Sequence, residues 1–151
     1  MSKIIVAESA GFCFGVNRAI NILYKLIDEN KPACTLGPII HNMQMVNELR
    51  EKGVRTIDKI SEAKENETIV IRSHGVPQSI VDEINERHLD YIDATCPFVS
   101  KIHKIVSETD DDSIVIIAGD KNHPEVQGIM GHCKSKCYTF KNQEELRELF
   151  S

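Results

Sequence analysis

Short apolar runs and helix-spaced apolar stripes take turns along this chain. Lys3–Ala7 (KIIVA) has the continuous apolar character of a strand. Residues 16–29 follow as a helix, with Ile20, Leu23 and Ile27 at helical spacing. Ala33–Leu36 predicts a short strand, residues 42–52 a helix, and residues 54–57 a further strand. The next pairs are a strand over 68–72 with a helix over 77–87, then a strand over 90–93 with a helix over 97–108. Residues 113–118 (SIVIIA) have the pattern of a fully buried strand. A short helix over 125–131, a strand over 137–140 and a helix over 143–150 complete the chain. Strands alternating with helices predict an α/β fold with small, mainly parallel sheets. The strand–loop–helix unit repeats loosely. The expected division is a first lobe over residues 1–95 and a second, incomplete lobe over 96–151.

Composition narrows the class. The chain has 151 residues, of which 41% are hydrophobic, enough for a real core. Net charge is −5, with no basic patch of the kind a nucleic-acid binder carries. No segment approaches the roughly 20 apolar residues of a membrane span. The first residues lack the long apolar region of a secretion signal, so the cytoplasm is the expected location. In that compartment five cysteines argue for metal or redox chemistry rather than a disulfide framework.

The chemistry lies directly after the predicted strands. KIIVA leads to GFCFGV with Cys13, ACTL to GPIIHN with His41, and TIVIR to SHGVP with His74. DYID leads to ATCP with Cys96, and SIVIIA to GDKNHPE with His123 and Glu125. Parallel α/β sheets bind ligands beyond the carboxyl ends of their strands, so these residues are expected to converge on one edge. Each has a plain structural alternative. Cysteine is often a small buried hydrophobe. His41, beside Asn42, could cap a helix, and Glu125 suits the first turn of one. Cys96 precedes Pro97 at a helix start, where the backbone dipole favours a thiolate. Gly11 and Gly15 flank Cys13 and suggest backbone held close to something. Cys34 reads as core, while His88 and His103 read as surface or packing residues. GHCKSKC (His132, Cys133, Cys137) has a spacing that zinc could accept, but no second Cys/His pair stands near it. Arg18 and Lys101 line the same edge as long, ordinarily solvated side chains.

Two thiolates at separate strand ends suit a soft metal or an iron–sulfur cluster. Histidines near helix starts suit an anion such as phosphate, and Glu125 could pass a proton to a bound group. A zinc hydrolase built on His and Glu is disfavoured, because no HExxH-type pair is present.

GFCFGV, GPIIHN, RSHGVP, DATCP and NHPEVQG, in this order, resemble the 4-hydroxy-3-methylbut-2-enyl diphosphate reductase family (LytB/IspH) over nearly the whole chain. The resemblance implies a three-lobed fold around a [4Fe–4S] cluster, of which this chain carries the N-terminal two lobes. It implies Cys13 and Cys96 as two cluster ligands, and His41, His74 and His123 as substrate-binding residues. Glu125 matches the family's proton donor. The implied reaction reductively removes a hydroxyl from an allylic diphosphate, giving isopentenyl and dimethylallyl diphosphates, with a ferredoxin- or flavodoxin-type electron donor. The family's third cysteine ligand lies in a later segment, so the chain reads as truncated and its third lobe as missing. Cys133 and Cys137 match no ligand of the family.

Overall fold

A computed structural model describes residues 3–8 and 10–151. Four strands form one parallel sheet in the order β2-β1-β3-β4: β1 (Ala33–Leu36), β2 (Arg55–Ile57), β3 (Thr68–Ile71) and β4 (Tyr91–Asp93). Helices α1 (Phe14–Asp28), α2 (Met43–Glu51) and α3 (Gln78–Glu86) belong to this sheet. Helix α4 (Pro97–Ser107) leads on to a second, two-stranded parallel sheet of β5 (Ile114–Ala118) and β6 (Lys136–Phe140). Helix α5 (Pro124–Met130) is the crossover between these two strands, and α6 (Gln143–Glu148) comes after them.

The period of two along a strand separates two apolar layers on the larger sheet. Ala33 and Val70 face one layer with Ala19, Ile20, Leu23 and Leu26 of α1 and Leu49 of α2. Cys34, Leu36, Ile69 and Ile71 face the other, with Ile57, Ile60 and Ile84 of α3. Strand β1 is therefore buried along its whole length, as a central parallel strand covered on both faces must be. Leu23 is fully buried in the first layer. Leu23→Ala is expected to cost about 3 kcal/mol of unfolding free energy, measured by urea denaturation, because the sheet above the vacated space is too rigid to collapse into it. A loss below about 1 kcal/mol would show that this layer is loosely packed.

The predicted elements occur with shifts of one or two residues at their ends, apart from two corrections. Residues 3–7 are not a strand. Ile4, Ile5 and Val6 are 89%, 78% and 74% exposed. An apolar run becomes a strand only by hydrogen-bonding to a neighbour, and no strand among the described residues lies beside it. Residues 114–118 are a strand but not a buried one: Ile114 and Ile116 are exposed. A sheet of two strands with a single crossover helix leaves one face open, whatever the apolar content of its strands.

The two sheets meet through α4, α5 and the loop before α3. The Gln78 amide donates to the Gly131 carbonyl at 3.3 Å. A methyl group on Gly131 would sit 2.3 Å from Pro77 Cβ, so only glycine permits this approach.

Candidate functional site

The carboxyl ends of β1, β3 and β4 lie side by side, because Leu36 pairs with Ile71 and Ile71 with Asp93. The loops leaving these strands are thereby gathered at one edge of the sheet. After β1 the chain runs to His41. Asn42 then caps α2, its Oδ1 accepting from the Met45 amide at 3.0 Å. The capping role open to His41 is thus taken by its neighbour, and His41 is exposed. After β3 come Ser73 and His74. Ser73 is buried, and both its amide and its hydroxyl donate to the Ile39 carbonyl, which ties the two loops together. After β5 comes His123, at the start of α5.

These three imidazoles come together. The ring centres of His41 and His74 are 4.4 Å apart, those of His41 and His123 5.7 Å, and those of His74 and His123 6.0 Å. Nδ1 of His74 is buried without a hydrogen-bond partner among the described residues. Burial, then the neighbouring His41, Arg72 and His123, pull the His74 pKa down to about 4. A half-buried imidazole kept neutral, with one nitrogen buried and unused, is ready to bind a ligand at little further desolvation cost. On His123, Nδ1 accepts from the Glu125 amide at 3.2 Å. That tautomer leaves Nε2 as the donor, and the same bond holds Glu125 two residues away at the helix start.

Both candidate cysteines stand at helix N-caps. Cys13 precedes α1 and Cys96 precedes α4, and neither side chain caps its helix. Each thiol is therefore left free at the N-terminal end of a helix. The Cys96 amide donates to the Ser73 carbonyl at 2.9 Å, so Cys96 is anchored directly beside His74. Gly15, in the first turn of α1, presses against Cys96: a methyl group there would lie 2.5 Å from Sγ and 2.9 Å from Cβ. The first turn after Cys13 thus abuts Cys96, which brings the two helix starts together. The close approach anticipated for the glycines around Cys13 holds for Gly15. Gly11 has open space around it and serves its left-handed φ of +142° instead.

Among the described residues, no set of three or more His, Cys, Asp and Glu side chains is grouped tightly enough to hold a metal ion. Two thiols at adjoining helix starts fit two corners of a cluster and not a complete ligand set. The zinc spacing of GHCKSKC is not realised either. His132 is turned away, its Nε2 lying 3.0 Å from the Val76 carbonyl and its ring stacked on His103 at 4.1 Å.

Three contributors were not legible in advance. Arg18, expected in solvent, donates to the carbonyls of Thr95 at 3.2 Å and Asp93 at 3.1 Å, and so clamps the turn that presents Cys96. Thr95 is buried, and its amide bonds Asp93 Oδ1 at 2.8 Å in the same turn. His103, expected at a surface or in ordinary packing, is only 8% exposed and lies behind the His74 loop. A methyl group on Gly75 would lie 2.5 Å from His103 Cε1, and one on Gly128 would lie 3.3 Å from His103 Nε2 and 3.4 Å from the His74 carbonyl. A loop glycine, Gly75, and a helix glycine, Gly128 of α5, closing on one histidine is a tertiary relation with no counterpart in local sequence. Cys34 is fully buried, as expected, and burial raises its thiol pKa to about 11.

Comparison with known proteins gives the family. Residues 4–151 match the family model described as LytB protein. A 4-hydroxy-3-methylbut-2-enyl diphosphate reductase of Alkaliphilus oremlandii is 39% identical over 150 residues, covering 97% of this chain and 53% of its own. One from Caldanaerobacter subterraneus subsp. tengcongensis is 43% identical, with the same coverage. The solved structure of an (E)-4-hydroxy-3-methyl-but-2-enyl diphosphate reductase, described as the terminal enzyme of the non-mevalonate pathway, superposes with a TM-score of 0.81 at 42% identity. It covers 98% of this chain and 54% of that one. A reductase structure from Plasmodium falciparum gives 0.83 at 28% identity, covering 93% and 45%. This chain spans about half the length of the relatives it matches. With the match running from residue 4 to residue 151, the chain belongs to the LytB family.

Proposed function

We propose that this chain supplies the N-terminal part of a reductase active site that converts (E)-4-hydroxy-3-methylbut-2-enyl diphosphate to isopentenyl and dimethylallyl diphosphates. The observation that carries the reading is the meeting of three imidazoles from three separate strand ends, one with a buried and unused nitrogen. Such a group suits the oxygens of a diphosphate and of an allylic alcohol, since a ring N–H of imidazole donates to either. His41, His74 and His123 are the substrate-binding residues in this reading. Glu125, held at the start of α5 by its amide bond to His123, carries the proton that leaves with the hydroxyl oxygen as water. Cys13 and Cys96 are two ligands of a [4Fe–4S] cluster. When bound, the cluster supplies electrons and a Lewis-acidic iron for the departing hydroxyl. A small ferredoxin- or flavodoxin-type protein in the cytoplasm is the fitting electron donor. The proposed lobes, 1–95 and 96–151, meet at Cys96, so that each brings one cysteine to the site.

The absence of a tight three-residue metal group among the described residues favours one alternative, a non-catalytic fragment that binds a labile cluster or a diphosphate. Anaerobic reconstitution with iron and sulfide tests the assignment. The unsubstituted chain is expected to develop a cluster chromophore with acid-labile sulfide, and Cys13→Ser and Cys96→Ser each to lose it. An undiminished chromophore in both variants would overturn the ligand assignment. Turnover of the allylic diphosphate by the reconstituted chain, supplied with an artificial reductant, separates the reductase from the non-catalytic alternative.

A further inference from the structure

The chain leaves β1 and β3 toward opposite faces of the larger sheet. Helix α2, which follows β1, packs into the layer of Ala33 and Val70, while α3, which follows β3, packs into the layer of Ile69 and Ile71. Where neighbouring parallel strands send their connections to opposite faces, a crevice opens at the carboxyl edge, and such crevices bind ligands. The three histidines use part of this edge. Toward the loop after β2 lies a separate cavity of about 520 Å³, walled by Leu36, Pro38, Ile60, Val76 and Ile80. None of His41, His74 and His123 lines it.

Arg72 lines this cavity as a half-buried guanidinium without a counter-charge. Its Nε donates to the Gly75 carbonyl at 3.3 Å, and neither terminal nitrogen has a hydrogen bond among the described residues. No carboxylate among the described residues forms an ion pair with it. Gly37 leaves room for the group, since a methyl there would lie 2.7 Å from Nη1. An arginine taken partly out of water with no partner is held at a cost in free energy that a bound anion relieves. The same burial lowers its pKa.

We propose that this cavity binds a small monocarboxylate with an apolar body, its carboxylate held by the terminal nitrogens of Arg72. The planar fork of arginine matches a carboxylate through two parallel hydrogen bonds. The charges around the cavity favour a single negative charge. Asp58 and Lys59 stand side by side, both exposed and of opposite sign, and Glu83 is engaged by Arg87 at 3.3 Å. Arg72 is thus the charge left unbalanced. A doubly charged phosphate would set its second charge against Asp58. The aliphatic wall takes the apolar body. Gln127 of α5 also lines the cavity, so an occupant would contact the helix at whose start His123 and Glu125 stand.

Isothermal titration calorimetry of the whole chain with octanoate tests this. Saturable one-to-one binding is expected. Octan-1-ol, equal in length and uncharged, is expected to bind at least about tenfold more weakly, because it makes no ion pair with Arg72. Octyl phosphate in its dianionic form is also expected to bind more weakly than octanoate. Arg72→Gln is expected to lose about tenfold in octanoate affinity, and His123→Gln to bind as the unsubstituted chain does. No saturable binding at millimolar octanoate, or equal affinity for octan-1-ol, would overturn the proposal. So would tighter binding of octyl phosphate, or an octanoate affinity that falls as far in His123→Gln as in Arg72→Gln, which would put the anion in the histidine group. The comparison of the three octyl compounds is read on the unsubstituted protein and does not depend on a variant folding.

Discussion

Between pH 6.5 and pH 4 the chain is expected to lose stability steeply, on the order of 3 kcal/mol for each of two histidines. His74 and His103 both have their pKa lowered from 6.5 to about 4. Burial is the main cause for each. For His74 the positive fields of His41, Arg72 and His123 add to it, and for His103 that of His132, with Asp93 opposing. In this window the unfolded chain binds the protons that the folded chain refuses, so unfolding free energy falls as pH falls. The stabilising effect of keeping both rings neutral is complete above pH 6.5 and gone below pH 4. Carboxylates act in the same direction but lower. Glu29, for example, is held below its ordinary 4.5 by its hydrogen bond to Lys31. Urea midpoints measured at several pH values between 4 and 7 give the slope, and His74→Gln and His103→Gln should each flatten it. A midpoint that stays level across the window would mean the two rings are already protonated or freely hydrated in the folded chain.

Gly15→Ala is expected to abolish most cluster loading while leaving the fold in place. In an ordinary exposed helix this substitution is favourable by about 1 kcal/mol, since glycine is a poor helix former. Here the added methyl group meets Cys96 Sγ at 2.5 Å and its Cβ at 2.9 Å. The Cys96 backbone cannot retreat freely, because its amide is bonded to Ser73 and the turn before it is clamped by Arg18. The thiol must therefore rotate out of its present position. Overpacking of this kind costs about 1–2 kcal/mol in stability, much of it offset by the helix preference. Iron affinity is expected to fall about tenfold or more, as when a group that orients a metal ligand is displaced. Iron and sulfide content after reconstitution measures the first effect. The rate at which Cys96 reacts with a thiol reagent, followed by mass spectrometry, measures the displacement without any metal. Iron loading and Cys96 reactivity both equal to those of the unsubstituted chain would show that the contact has no part in placing the thiol.

The local pattern determined most of the elements, because helix and strand periods are properties of short windows. Cys96 before Pro97 already marked a helix start, and the order of strands and helices already placed Cys13, His41, His74, Cys96 and His123 in the turns or helix starts of an α/β chain. The family resemblance came from the same turns, since they carry the ordered motifs. Tertiary structure decided the rest. The KIIVA run is no strand and SIVIIA is no buried one, because pairing and cover depend on neighbours that no local window contains. Arg18 and His103 gained their roles from partners 77 and 28 residues away, the Thr95 carbonyl and Gly75. The depressed pKa of His74 has the same origin. Desolvation and the fields of three other side chains exist only once the chain has brought them together.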